Sequence, residues 1–345
     1  MKKKIILIVL AILTILALLV YLRYEKVARN ISGKNLPVLE GAQGAFAPGT
    51  YRGTIETSDG RTRTYAIHIP TGYDASKAYP LVLLFHGGGP AGYGALILRG
   101  THFDAKADSE GFIVVAPDGF KQSWNDARGT TFAAQEGIDD VQFIRELIVH
   151  LSATLPVDAK QIYVTGASNG GFMSHRLGCE LPNTFAAIAP VIASMPENGI
   201  TSCNPTPTSF VAIQGAADPG VVLEGGAMGE ADNEFSKAVK RSGRGQGGVI
   251  LSAVETMELW ATKNGCRLTP TVTHLPPTAD DGTSVDKYVF GGCAAGTAVE
   301  YYIVNGMGHT WPPNTGRRPS ISGNGTQNID ATDVIWDFFE AHPKS

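Results

Sequence analysis

The run Gly166-Ala167-Ser168-Asn169-Gly170 sets one serine among small residues, directly after an apolar stretch at 162–165 and before a helical pattern at 172–177. A strand that turns tightly into a helix exposes the residue at the turn and aims it at the helix N-terminus, whose unpaired amides favour developing negative charge. Only small neighbours fit there, because the strained backbone passes close to adjacent elements. Ser168 is therefore the candidate nucleophile of a covalent mechanism. With 41 glycines in the chain, composition alone could supply such a string, so the reading depends on its partners. A serine hydroxyl needs a base, and the base needs a carboxylate to orient it, in the chain order serine, acid, histidine for a nucleophile on this kind of turn. Asp218 follows an apolar stretch at 210–213 within Gly215-Ala216-Ala217-Asp218-Pro219, and His309 follows another at 299–304 within Gly306-Met307-Gly308-His309-Thr310-Trp311. Asp232 is the nearest competing acid. His175 falls inside a predicted helix, His274 in a loop rich in Pro and Thr, and His342 at the terminus.

An acyl-transfer intermediate also needs donors for its oxyanion. Phe85-His86-Gly87-Gly88-Gly89, directly after an apolar stretch at 81–85, offers them as backbone amides: Gly88 is the candidate, with Gly87 as the alternative, and the amide of Asn169 supplies the second donor. His86 reads as a residue that holds this loop by hydrogen bonds. Trp124 and Trp311 lie in predicted loops beside these residues as candidates to stack on a substrate, with half-buried packing as the alternative role for each. The sequence contains no G-x-x-x-x-G-K-[ST] and no C-x-x-C, so neither a cofactor nor a metal is expected.

The elements that must position these residues follow from periodicity. Short continuous apolar runs at 81–85, 113–116, 162–165 and 210–213 have the pattern of strands buried on both faces, which belong to parallel sheets. Before them, 51–57 and 63–69 read as a hairpin around Ser58-Asp59-Gly60. Val141, Ile144, Ile148, Leu151 and Leu155 recur at helical spacing behind the capping candidates Asp139 and Asp140, and Pro156 ends that helix. Ser252 with Glu255 forms a capping box for a helix that stops at Asn264-Gly265, and Asp330 caps a last helix with Val334, Ile335, Phe338 and Phe339 on its apolar side. Alternating strands and helices predict a single doubly wound α/β domain over 51–345. The glycine-dense segment 225–248 has no periodicity and reads as a mobile loop near a site or a disordered insertion.

At the N-terminus, Met1-Lys2-Lys3-Lys4 precedes an apolar run at 5–22 broken only by Thr14. Residues 1–29 are expected to be a transmembrane signal anchor, with a cleaved signal peptide as the alternative, and 30–50 a spacer, which makes the rest extracytoplasmic. Cys179, Cys203, Cys266 and Cys293 fit two disulfides in an oxidising compartment, with three pairings open. A chain of 345 residues, 43% hydrophobic and 17% charged, is globular, and its net charge of -4 provides no basic face for nucleic acid.

The ordered set H-G-G-G, G-I-D-D-V, G-A-S-N-G-G, A-D-P, N-G-C and G-H-T-W-P, closed by V-I-W-D-F-F, resembles the polyhydroxybutyrate depolymerase-like esterases, the LpqC-type group related to feruloyl and acetyl xylan esterases. The resemblance implies an α/β-hydrolase fold and a carboxylic ester substrate of hydroxyalkanoate, feruloyl or acetyl-polysaccharide type. It also implies Ser168 as nucleophile, Asp218 as acid, His309 as base, and the pairings Cys179 with Cys203 and Cys266 with Cys293. Two features depart from the group: Gln214 stands where a histidine often precedes the glycine ahead of the acid, and 225–248 is long. An acyltransferase or a peptidase with the same triad, and a non-catalytic membrane-tethered binding protein, are the competing functions.

Overall fold

The computed structural model describes residues 27–30, 32–39, 46–89, 92–204, 206–241, 247–315 and 319–344. The hairpin forms as β1 (Gly49–Glu56) and β2 (Thr62–Ile69), paired antiparallel from Gly49 opposite Ile69 to Glu56 opposite Thr62. The four continuous apolar runs become β3 (Tyr79–Phe85), β4 (Ile113–Pro117), β5 (Val157–Ala167) and β7 (Ser209–Gly215). Between β5 and β7 lies β6 (Ala187–Val191), which sequence periodicity missed because its five residues are two alanines and a proline among two branched side chains. A ribbon of β8 (Gly226–Ala227) and β9 (Val249–Ile250) stands apart, and β10 (Thr271–Leu275), β11 (Ser284–Phe290) and β12 (Val299–Asn305) complete a ten-stranded sheet. Its order is β1-β2-β4-β3-β5-β6-β7-β12-β11-β10, parallel from β4 through β12 and antiparallel at both flanks.

Burial on both faces explains the runs. Leu81, Leu83 and Phe85 of β3 point to one core and Val82 and Leu84 to the other. The helices are α1 (Gly94–Gly100), α2 (Phe103–Glu110), α3 (Phe132–Gln135), α4 (Asp140–Thr154), α5 (Asn169–Glu180), α6 (Glu234–Arg241), α7 (Ala253–Lys263), α8 (Pro319–Ser322) and α9 (Ala331–Ala341). Ile144, Leu147 and Leu151 of α4 and Trp260 of α7 fill the first core, and Phe103 of α2 with Ile335 and Phe339 of α9 fill the second. Three caps form as the sequence predicts: Asp139 accepts from Gln142 N–H, Ser252 and Glu255 form a reciprocal box, and Asp330 accepts from Thr332 and Asp333. Helices on both faces of a mostly parallel sheet, in this strand order, make an α/β-hydrolase fold.

Several expectations need correction. His274 sits in β10, where its Nδ1 meets Asp286 across the pair with β11; this flank is largely exposed, so no apolar alternation announced it. Segment 225–248 holds β8 and α6 rather than only loop, and leads into β9. Within the predicted spacer, Leu39 N–H donates to Arg52 O and Arg52 N–H to Pro37 O, so 37–39 lie along the outer edge of β1 and belong to the folded unit. The predicted apolar span at 5–22 lies outside the described residues; among those described, no helix is long and apolar enough to cross a membrane. Disulfides join Cys179 to Cys203 and Cys266 to Cys293, the pairings the resemblance implied.

Candidate active site

Because β5, β7 and β12 run parallel, the loops leaving their carboxyl ends open on one edge of the sheet, and Ser168, Asp218 and His309 all sit on those loops. Ser168 joins β5 to α5 with φ 55° and ψ -118°, a conformation that costs a non-glycine residue on the order of 1–3 kcal/mol. Its N–H donates to Val191 O at 3.0 Å, which holds the turn against β6. The small residues around it are required by space: a Cβ on Gly170 would lie 2.2 Å from Phe85 O, and one on Gly166 would lie 2.7 Å from the same atom. The amide of Asn169 opens α5, and neither it nor the Ser168 hydroxyl has a hydrogen-bond partner among the described residues.

On the neighbouring loops, Asp218 Oδ2 accepts from His309 Nδ1 at 2.7 Å. The other carboxylate oxygen accepts the N–H groups of Gly220 and Val221, each at 2.8 Å, so the acid is held by its own loop as well as by the imidazole. The two loops lie back to back: Ala217 N–H donates to Met307 O, and a Cβ on Gly215 would fall 2.3 Å from that oxygen. Gln214 is fully buried beneath them. Its Nε2 donates to Val221 O at 3.1 Å, while Oε1 accepts from Ser194 and Tyr301 hydroxyls. The glutamine therefore braces the acid loop without touching His309. Asp232, the competing acid, is 90% exposed and pairs with Lys237.

The glycine loop after β3 approaches the serine from the other side. A Cβ on Gly87 would come within 3.5 Å of Ser168 Cβ, and the N–H groups of Gly87 and Gly88 make no hydrogen bond among the described residues. His86, 1% exposed, ties this loop to the loop after β4: Nδ1 donates to Gly87 O at 2.8 Å and Nε2 accepts from Gly119 N–H at 2.9 Å. Burial pushes its pKa down to about 4, and that of His175, on the buried side of α5, to about 3. Both are neutral in the folded protein, whereas in the unfolded chain they take up protons near pH 6.5. A depressed folded pKa gives stability that is present above the unfolded value and lost as pH falls towards the folded one. The urea midpoint should accordingly be lower at pH 5 than at pH 7.5, and a flat midpoint over that interval would contradict neutral burial of these rings.

Comparison with known proteins bears on the chemistry of this edge. The Esterase family, described as "Putative esterase", matches residues 57–197. A protein named "Putative esterase NocK" from Nocardia uniformis subsp. tsuyamanensis is 29% identical over 281 residues, covering 81% of this chain and 79% of its own. Feruloyl esterase C of Emericella nidulans is 26% identical over 285 residues, 81% of this chain and 84% of its own. The chain is a carboxylic ester hydrolase, similar in sequence to these esterases. Its fold is shared with a solved acetyl xylan esterase from Aspergillus awamori, at TM-score 0.51 and 15% identity over 84% of this chain and 99% of that one.

In this esterase the two predicted stacking tryptophans are placed differently. Trp124 is fully buried, with its indole N–H on His86 O at 3.0 Å and its ring against Phe85 and His86, so it supports the glycine loop from below. Trp311 is half-buried and packs on Phe103, with its N–H towards the Thr332 hydroxyl at 3.3 Å. Sequence reasoning also missed a buried ionic network. Asp126 and Arg128, 0% and 1% exposed, pair at 2.6 Å; Asp126 also accepts from Asn169 Nδ2 at 2.5 Å, and the guanidinium lies 4.1 Å over the Phe172 ring. The side chain of Asn169 is thereby fixed at the mouth of α5, while its Oδ1 accepts from Trp124 N–H. Asp140, read as a possible cap, instead turns inward to Arg63 at 2.8 Å and to Asn125 N–H, and burial raises its pKa. Arg128→Met leaves Asp126 buried without its cation, which typically costs on the order of 3–5 kcal/mol. A large fall in the urea midpoint is the expected reading, and an unchanged midpoint would count against it.

Proposed function

We propose that the esterase works through an acyl-enzyme formed on Ser168. His309 removes the hydroxyl proton through Nε2 as Ser168 Oγ attacks the ester carbonyl, and returns it to the leaving alcohol; a water, activated by the same nitrogen, then releases the acid. Asp218 keeps the proton of neutral His309 on Nδ1, which leaves Nε2 as the basic nitrogen. The 2.7 Å contact between Asp218 Oδ2 and His309 Nδ1 is the observation that carries this reading. The hydrogen bond from the Ser168 hydroxyl to Nε2 is open in the free protein, as is common before substrate binds. The amides of Asn169 and of Gly88 or Gly87 receive the oxyanion. At the mouth of the helix dipole they act without reorganisation, and one such donor is typically worth on the order of 10²–10³ in turnover.

The substrate class is an ester of a phenolic or acetic acid on a carbohydrate, which the names of the feruloyl and acetyl xylan esterase relatives support; hydroxyalkanoate esters are the other candidates. The enzyme acts outside the cytoplasm, tethered by the apolar run at 5–22, and the two disulfides favour that compartment. Labelling with a fluorophosphonate, followed by peptide mass mapping, should place the adduct on Ser168. Parallel assays with methyl ferulate, acetylated xylo-oligosaccharides and 3-hydroxybutyrate oligomers rank the acyl groups. An unlabelled protein, or an adduct elsewhere, would refute the mechanism. Preferential diversion of the acyl group to added alcohols would make it a transferase.

A further inference from the structure

Residues 228–241 follow β8 and Gly247 and Gly248 lead into β9, and contacts of these residues fall at two places that belong to opposite sides of the site. At the first, Arg128 Nη1 reaches Met228 Sδ at 3.4 Å and Gly247 O at 3.5 Å, and the Thr130 hydroxyl donates to Gly247 O at 3.0 Å. Arg128 is the partner of Asp126, which holds the side chain of Asn169. At the second, Asn233 Nδ2 donates to Pro219 O at 2.8 Å, next to the acid. Two residues on, in α6, the Phe235 ring meets the His309 imidazole at 5.0 Å between centroids and 64° between planes. The same ring lies so close over Gly220 that a Cβ there would be 2.2 Å from Phe235 Cε1. Nothing in the family resemblance singles out these contacts.

We propose that residues 228–241, which carry α6, are a clasp that positions the base, and that Phe235 is its working end. The inference rests on the reading of His309 as general base. One hydrogen bond to Asp218 fixes the tautomer of His309 but leaves the ring able to swing about that bond. An aromatic edge or face against the imidazole removes that freedom and keeps water away from the Asp218–His309 pair, and such ring pairs are favoured beyond their burial alone. The contact of Phe235 within the site is with the His309 ring, so it is a positioning residue: it acts through His309. It should therefore raise the rate of the chemical step without raising affinity for a small ester.

Phe235→Ala tests this on the full chain. With p-nitrophenyl acetate, kcat is expected to fall about tenfold with KM within about twofold, and fluorophosphonate labelling of Ser168 should slow by the same factor. Phe235→Tyr should restore both rates. Gly220→Ala keeps the phenyl ring but pushes it off His309, so it should reproduce the loss, and its effect should vanish in the Phe235→Ala background. Turnover by Phe235→Ala equal to that of the parent, or additive losses in the double variant, would overturn the clasp. Ser168→Ala run alongside separates the two levels. Activity surviving in that variant sinks the serine mechanism itself, whereas a silent Ser168→Ala beside a fully active Phe235→Ala sinks the clasp alone.

Discussion

Replacement of Ser168 by alanine is expected to lower ester turnover by on the order of 10⁶, about 8 kcal/mol of transition-state stabilisation, with the fold intact. In the proposed mechanism the loss is this large because serine, histidine and aspartate act as a unit: without the hydroxyl no acyl-enzyme forms, and the base and acid have nothing to activate. The residual rate, typically 10³–10⁴ above water in other serine hydrolases, comes from the oxyanion donors and binding alone. Stability should change by no more than about 0.5 kcal/mol, since the hydroxyl is partly exposed and makes no hydrogen bond among the described residues, so its removal orphans nothing. The φ of 55° is strained for alanine as it is for serine, so that cost cancels. Measuring kcat for p-nitrophenyl acetate and the urea midpoint on the same preparation separates the two quantities. A loss below about a hundredfold would mean that another group carries the attack.

The turn at Ser168 was legible because its chemistry is local. The same short stretch that forms the nucleophile turn must also be small, and a buried strand and a helix must flank it; Gly166 and Gly170 are small for reasons the structure states in ångströms. The placement of Asp218 and His309 on loops at the same sheet edge was legible through their order after apolar runs with the pattern of buried strands. What stayed hidden depends on contacts between distant segments. Trp124 looks exposed in a polar loop, yet folding sets it under His86 and Phe85. Asp126 and Arg128, two positions apart, have the spacing of any solvated pair, and only the arrival of Asn169, Phe172 and Gly247 from elsewhere buries them. Asp140 has the sequence signature of a cap, and Arg63 from the hairpin draws it inward instead. Phe235 sits in a short helix whose other side chains are mostly polar, so no apolar stripe announced the helix or the single ring it delivers to His309.

Asp218→Asn is the more discriminating test of the base, with an expected fall in turnover on the order of 10⁴. The direction of the new amide is dictated by the loop. Gly220 and Val221 point two N–H groups at Oδ1, so the amide must keep its oxygen there, because an NH₂ group would set donors against donors. The NH₂ group then occupies the place of Oδ2 and donates to His309 Nδ1. That nitrogen must give up its proton to accept, the proton moves to Nε2, and the neutral imidazole can no longer take one from Ser168. Because both loop hydrogen bonds survive, the urea midpoint should stay near that of the parent, whereas Asp218→Ala should lose turnover and stability together. Asp232→Asn supplies the contrast: that carboxylate is 90% exposed and paired with Lys237, so its neutralisation should leave turnover unchanged. A fully active Asp218→Asn would show that the 2.7 Å contact does not set the tautomer of the base. Combined with a silent Ser168→Ala, that outcome would leave the nucleophile standing and move the orienting role to a group other than Asp218.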